Sequence, residues 1–487
     1  MRSNVSVSAS SVSRRLCLAL ALATALATAG CDTMGSVGDF FLGGGNAPTE
    51  GQPGFIRGFL GGVAADEPRA ALVARQVLAQ GGDAADAATA LGFALTVTLP
   101  SRAGLGAGGA CLAYNPSRDG PGGGVPEAIL FTPVAAPVTA GSDRPAAVPM
   151  LARGLYALQA RYGRRPIETL IVPAEQLAHF GVQVSRAFAN DLAVVSGPLL
   201  ADPGARAIFG PSGTPLAEGA TLLQPDLGST LSQLRVGGVG DLYQGVLARR
   251  LVEGSAIVGG ALSADALRGA LPRTAAPIIL RSGRDRVAFL PPPADGGLAA
   301  AAAFQVLQGD ARALAQAQER AMGVALRWRA GGGDPMAVLA AAGSAGALPP
   351  LPASTSFATL DRDGNAVACA VTMDNLFGTG RVVPETGMLL AASPAAVPPP
   401  LLSAALAWND NIHAFRAEVA ASGQAGAPLA VAAGLIDVLR GGGNQAVPVP
   451  EPGRVNAIAC SGYLPDAQRS CRWATDPRGA GLALGGD

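Results

Sequence analysis

The stretch Pro349–Gly380, PPLPASTSFATLDRDGNAVACAVTMDNLFGTG, constrains the fold more than any other part of the chain. Val367, Cys369, Val371 and Met373 alternate with Ala368, Ala370 and Thr372, the period of two that a strand requires. Ser356–Leu360 is a second strand-like run, and Asp363–Gly364 between the two is a strong hairpin signal. A Gly-rich loop, Phe377–Gly380, follows. Upstream, Pro349, Pro350 and Pro352 favour extended backbone and keep the segment out of a helix. Ser354 and Thr355 therefore stand at the start of a strand, just after a linker, which is where a cleavable junction would lie. Cut before Ser354, the chain would present a free α-amine with a reference pKa of about 8, able to act as base toward its own hydroxyl. An ordinary hairpin after a loop would carry the same residues, and the pattern alone leaves both readings open.

The 487 residues are 49% hydrophobic and 14% charged, which describes a globular chain of two or three domains or one large layered unit. Formal net charge is zero, so nothing points to nucleic acid or to acidic partners. Arg14–Arg15 precede an apolar run, Leu16–Leu26, too short to span a bilayer comfortably. Ala27-Thr28-Ala29-Gly30 then lead into Cys31, as in a bacterial lipobox. Residues 1–31 thus read as an export signal with Cys31 as lipid carrier, and the Gly-rich residues 32–54 as a tether. The expected location is the periplasm, with membrane attachment only through the lipid. Among the other cysteines, Cys111 and Cys369 read as small core residues, while Cys460 and Cys471 are good disulfide partners in a loop-rich tail. Two histidines and no Cys/His spacing leave no expected metal site.

Farther upstream, an acidic cap and Pro68 open a helix that Gly81–Gly82 ends, and Asp83 caps a second helix, Ala84–Val97. Gly104–Gly109 literally satisfies GxGxxG, but the run before it is helical, whereas a dinucleotide site needs a strand there. No cofactor is expected. His179, on a helix ended by Gly181, reads as structural, and neither it nor His413 sits in a triad context.

Several of these stretches together resemble the γ-glutamyltranspeptidases (glutathione hydrolases). The stretch from Ser354 to Val397 lies over the start of that family's small subunit without a gap, densely at Asp361, Asp363–Val367, Thr372, Phe377–Gly380 and Thr386–Gly387. The helix pair before Pro100, the Gly104–Gly109 loop, the Pro291–Gly297 turn and the Ser422–Ala427 turn also have counterparts. The resemblance covers roughly residues 64–440. It implies the αββα sandwich of N-terminal-nucleophile hydrolases, an α/β (α+β) fold. It further implies a large-subunit-like region, 55–353, and a small-subunit-like region, 354–487, which associate after self-cleavage. Ser354 lies at the nucleophile position, where the family has Thr, with Thr355 as the alternative one residue on. Thr372 lies where the family's threonine hydrogen-bonds the nucleophile. Ala425 and Gly426 lie where backbone N–H groups form the oxyanion hole.

The departures fall on glutamyl recognition. The arginine that grips the substrate carboxylate lies over Pro133, the ammonium-binding acid over Ala396, and the serine pair over Leu402 and Ser403. Ser393 closes an altered Ala391-Ala392-Ser393 stretch, and Asp374 stands for the family's Asn. The remaining substrate contacts are therefore Asp374, Ser393 and Ser403. The implied activity is hydrolysis or acyl transfer on a γ-glutamyl or related small-molecule amide, with poor γ-glutamyl binding. The competing reading is a non-catalytic envelope lipoprotein that keeps the scaffold as a binding module.

Overall fold

A computed structural model describes residues 58–137, 142–341, 353–441 and 451–486. The expected leader, Cys31 and the tether lie outside the described residues. Residues 56–487 form one unit, so the 353/354 boundary falls inside a single body.

Two antiparallel sheets stack face to face between helical layers. The first runs, edge to edge, Leu482–Gly485, Gly61–Ala65, Ser354–Asp361, Ala366–Thr372, Gly108–Tyr114, Glu127–Phe131 and Arg273–Ala275. The second runs Cys471–Thr475, Arg454–Leu464, Ala414–Ser422, Ser403–Asn409, Asp285–Phe289 and Ile278–Ser282. The hairpin expected from its alternation sits at the centre of the first sheet, slightly longer at its start than the apolar run suggested. Its Asp363–Gly364 turn is gripped by Asp361, whose carboxylate accepts from the backbone N–H of Asp363 and Asn365 and from Ala84 at a helix start.

Alternation assigns each strand face. Phe357, Val367, Cys369 and Val371 pack under the helices Pro68–Ala79, Ala84–Thr98 and Leu151–Tyr162. Ala358, Leu360, Ala368 and Ala370 face the second sheet, meeting Leu406, Trp408, Ala420 and Ile458. The second sheet's other face, with Ala405, Val419 and Ala457, carries Gly296–Gly309, Leu314–Gly331 and Ala427–Leu439. This is the expected αββα order. Alanine dominates the inner faces, and short side chains let backbones approach closely. At Gly109 a Cβ would come within 2.6 Å of the Ala370 carbonyl oxygen, and at Gly106 within 2.2 Å of Leu389 O. The Gly104–Gly109 loop thus serves backbone packing.

Three expectations change. The tail is not loop-rich: Arg454–Leu464 is an interior strand of the second sheet, and Leu482–Gly485 pairs with Gly61–Ala65 in the first. Cys111 and Cys369 are not separate core residues, because the strand register sets them opposite each other and they form a disulfide. Their pairing depends on two strands 258 residues apart in sequence, so neither local context shows it. The helix after residue 66 is capped by Glu67, whose carboxylate accepts from Ala70 N, which leaves Asp66 for another task. Cys460 and Cys471, also register partners, form a second disulfide.

Glu418 interrupts the alanine layer. It is fully buried between the sheets, and neither carboxylate oxygen has a hydrogen-bond partner. Burial, reinforced by Asp361, pushes its carboxyl well above the ordinary range. A carboxyl raised in the folded state contributes its full stability below the unfolded value, about 4.3, and loses it as pH climbs through the folded value. Glu418→Gln should therefore gain in Tm over the wild type as pH rises from about 5 to about 9. Parallel Tm–pH curves for the two proteins would show that Glu418 carries no such burden.

Candidate active site

Ser354 opens a strand with neighbours on both sides, Gly61–Ala65 and Ala366–Thr372. Alternation puts Ser354 and Ser356 on the inter-sheet face and Thr355 on the helix face. The hydrogen bonds agree. Ser356 Oγ accepts from Asn456 Nδ2 of the second sheet at 2.9 Å. Thr355 Oγ1 donates to Asp66 Oδ2 at 3.1 Å. Ser354 Oγ is buried and has no partner.

The junction is held from several directions. Ser354 pairs with Thr372 across the hairpin, and Thr372 Oγ1 donates to the carbonyl oxygen of Ala353 at 2.7 Å. That same Oγ1 accepts from the backbone N–H of Asp374 at 2.8 Å. The N–H, the hydroxyl and the carbonyl form one polarised line, and each bond in such a chain strengthens the next. The expected bond from Thr372 to the nucleophile is thus replaced: in the intact chain the register brings the Ala353 carbonyl to this hydroxyl.

Two further groups were not legible in the sequence. Asp66 Oδ2 also accepts from Ser356 N at 3.0 Å, while Oδ1 accepts from Asn456 Nδ2 at 2.8 Å. One carboxylate thereby ties the junction strand to both sheets. Arg102 Nη1 reaches Ser354 O at 3.4 Å, and its other nitrogens form a two-point ion pair with Asp191, at 2.6 and 2.7 Å. Ser101 Oγ donates to the same Asp191 at 2.6 Å. Asp66 stood as a second acid at a helix start, and Arg102 carries no local sequence signal.

The other sequence-derived residues are distributed as follows. Asp374 is buried at φ 60°, in the left-handed region, and both its carboxylate oxygens lack partners. Burial drives its carboxyl well above the ordinary range, with Arg329 pulling the opposite way. Ser393 and Ser403 are fully buried and engaged locally: Ser393 Oγ accepts from Ala395 N at 3.3 Å, and Ser403 Oγ donates to Leu401 O at 2.9 Å. The Ala425–Gly426 turn begins a helix, as expected, but Gly426 N–H already donates to Gly423 O at 3.0 Å. In this state Gly426 is not a free oxyanion donor, because the 3₁₀ turn that starts the helix uses its N–H. Among the described residues no cluster of His, Cys, Asp and Glu could hold a metal. His179 lies in the last turn of Ile167–Phe180, and His413 Nε2 accepts from Arg118 at 2.8 Å.

The fold and the polarised junction frame the comparisons with known proteins. The family model "Gamma-glutamyltranspeptidase" matches residues 70–329, and the chain belongs to that family. The glutathione hydrolase proenzyme of Escherichia coli K12 is 29% identical over 393 residues, 69% of this chain and 66% of that protein. The glutathione hydrolase proenzyme of Bacillus subtilis 168 is 32% identical over 253 residues, 49% of this chain and 43% of that protein. The chain thus aligns with two thirds or less of the length of these relatives. The crystal structure of a cephalosporin acylase from Bacillus halodurans shares the fold, with a TM-score of 0.71 at 20% identity, covering 90% of this chain and 98% of that one. The family match ends before Ser354.

Thr372 offers a direct check. Thr372→Val removes the donor on the Ala353 carbonyl, and loss of one such donor typically slows a reaction by about 10²–10³-fold. A time course of fragment appearance on a reducing gel should show that slowing, with Thr372→Ser close to wild type. A Val variant that cuts at the wild-type rate would remove Thr372 from the chemistry.

Proposed function

We propose that the chain is a self-processing N-terminal-nucleophile amidase with Ser354 as nucleophile. The observation that carries this reading is the junction itself: a buried, unpartnered Ser354 Oγ beside a carbonyl that Thr372 already polarises. Ser354 Oγ attacks the Ala353 carbonyl, the Ala353–Ser354 C–N bond breaks, and an ester with a free Ser354 amine results. Water hydrolyses the ester to an Ala353 carboxylate and restores the hydroxyl. In turnover the amine takes the hydroxyl proton and passes it to the departing amine of a small-molecule amide, a γ-glutamyl peptide or an analogue. Water or an acceptor amine then removes the acyl group.

The strand faces favour Ser354 over Thr355. Thr355 points toward the helices and its hydroxyl is committed to Asp66. Removing Thr355 costs a buried hydrogen bond but no nucleophile.

The Cys111–Cys369 disulfide alters what a gel shows, because it joins the two fragments that cleavage would create. The wild type should run as one band without reductant and as two with it. Ser354→Ala should run as one band in both and be inactive, while Thr355→Ala should still cut, at least in part. If Thr355→Ala is the variant that blocks cutting, the nucleophile is Thr355. A wild type that stays single in reductant would favour the non-catalytic scaffold.

A further inference from the structure

The second sheet borders a cavity of about 410 Å³ at its end away from the junction. Asn456 bonds Ser356, whereas Tyr463, in the cavity wall, lies roughly 20 Å farther along the same strand, Arg454–Leu464. Three arginines line the cavity: Arg284 in the turn after Ile278–Ser282, Arg416 on Ala414–Ser422, and Arg440 just past the helix Ala427–Leu439. Among the described residues Asp285 is the one acid in the wall.

Arg416 is the buried member, 6% exposed. Part of its role is structural. Its Nη2 donates to Val438 O at 3.3 Å and to Leu439 O at 3.5 Å, which satisfies the carbonyl end of that helix. Its Nη1 is buried and has no partner among the described residues. Its Nε is 4.0 Å from Asp285 Oδ2, too long for a hydrogen bond, while Asp285 Oδ1 accepts from the Tyr463 hydroxyl at 2.7 Å. The Arg284 guanidinium carbon lies 5.0 Å from the Tyr463 ring centroid, and that of Arg416 lies 5.8 Å from it, so two cations share one ring. Among the described residues the Arg284 side chain has no hydrogen-bond or ion-pair partner. Burial, with Arg284 adding to it, holds the Arg416 guanidinium below its ordinary value, against the pull of Asp285 and Tyr463.

Three guanidinium groups thus face one carboxylate that is already committed to a tyrosine. A buried guanidinium N–H without an acceptor is costly, and an oxyanion removes that cost because guanidinium forks pair with phosphoryl oxygens. Ile436 and Leu439, with the Tyr463 ring, supply an apolar wall. The volume falls within the range of small-molecule sites, roughly 300–1,000 Å³. We infer that this cavity is a binding site for a phosphate monoester, with its phosphoryl group against Arg416 and Arg284, Arg440 at the rim, and its organic part on the apolar wall. The site is separate from Ser354 and stands whether or not the chain cuts there.

Calorimetric titration of the purified protein with phenyl phosphate, in chloride buffer of low ionic strength, tests this. The wild type should saturate at one equivalent. Removing Arg416 would strip the helix end of its donor, so the informative variant is the exposed pair Arg284→Gln with Arg440→Gln, which leaves Arg416 and Asp285 in place. It should weaken phenyl phosphate about tenfold or more while its Tm without ligand stays near that of the wild type. Arg284→Gln alone, which loses only a ring contact, should weaken binding in the same direction. Inorganic phosphate should bind more weakly than phenyl phosphate, and succinate more weakly still. Equal binding by the wild type and the double variant, or no binding at millimolar phenyl phosphate, would overturn the site. Tighter binding of succinate would overturn the phosphoryl assignment, and inorganic phosphate binding as tightly as phenyl phosphate would overturn the role of the apolar wall.

Discussion

The structure depends on the pairing of Ser354–Asp361 as an interior strand. Paired on both flanks, this strand cannot slip by one residue without exchanging every side chain between the sheet's two faces. Register therefore decides the chemistry. It turns Ser354 into the space between the sheets, turns Thr355 toward the helices, and sets Thr372 opposite the junction. Asp66 and Asn456 lock that choice by joining the strand to its neighbour and to the second sheet through a single carboxylate. A flexible loop could hold a serine near a carbonyl only a fraction of the time. An interior strand holds it there continuously, the kind of preorganisation from which effective concentration arises.

Much of this frame was legible in local pattern. The period-two run from Val367, the Asp-Gly turn and the proline-rich approach located the hairpin and the junction. What stayed hidden has a common cause: it is made by residues that meet only after folding. Asp66 reaches Asn456 across 390 positions, and Arg102 reaches Asp191 across 89. Cys111 and Cys369 each look like small apolar strand residues until register sets them opposite each other. The tail strands were missed because Gly462, Ser461 and Asn456 interrupt their apolar pattern, while their pairing is supplied by strands already in the sheets.

The proposed reaction needs only a hydroxyl, a polarised carbonyl and an amine released by cutting, and all three lie on or beside the junction strand. Pro133 and Ala396 stand where the resemblance places the family's arginine and ammonium-binding acid. Burial raises the carboxyls of Asp374 and Glu418 well above their ordinary range, and none of their four oxygens has a hydrogen-bond partner.

The central claim is that Ser354 Oγ attacks the carbonyl before it. N-terminal sequencing of the shorter fragment, after reduction, tests this most directly. The account predicts a fragment that begins Ser-Thr-Ser-Phe, at Ser354. A fragment that begins at Thr355, or at any other residue, would contradict it.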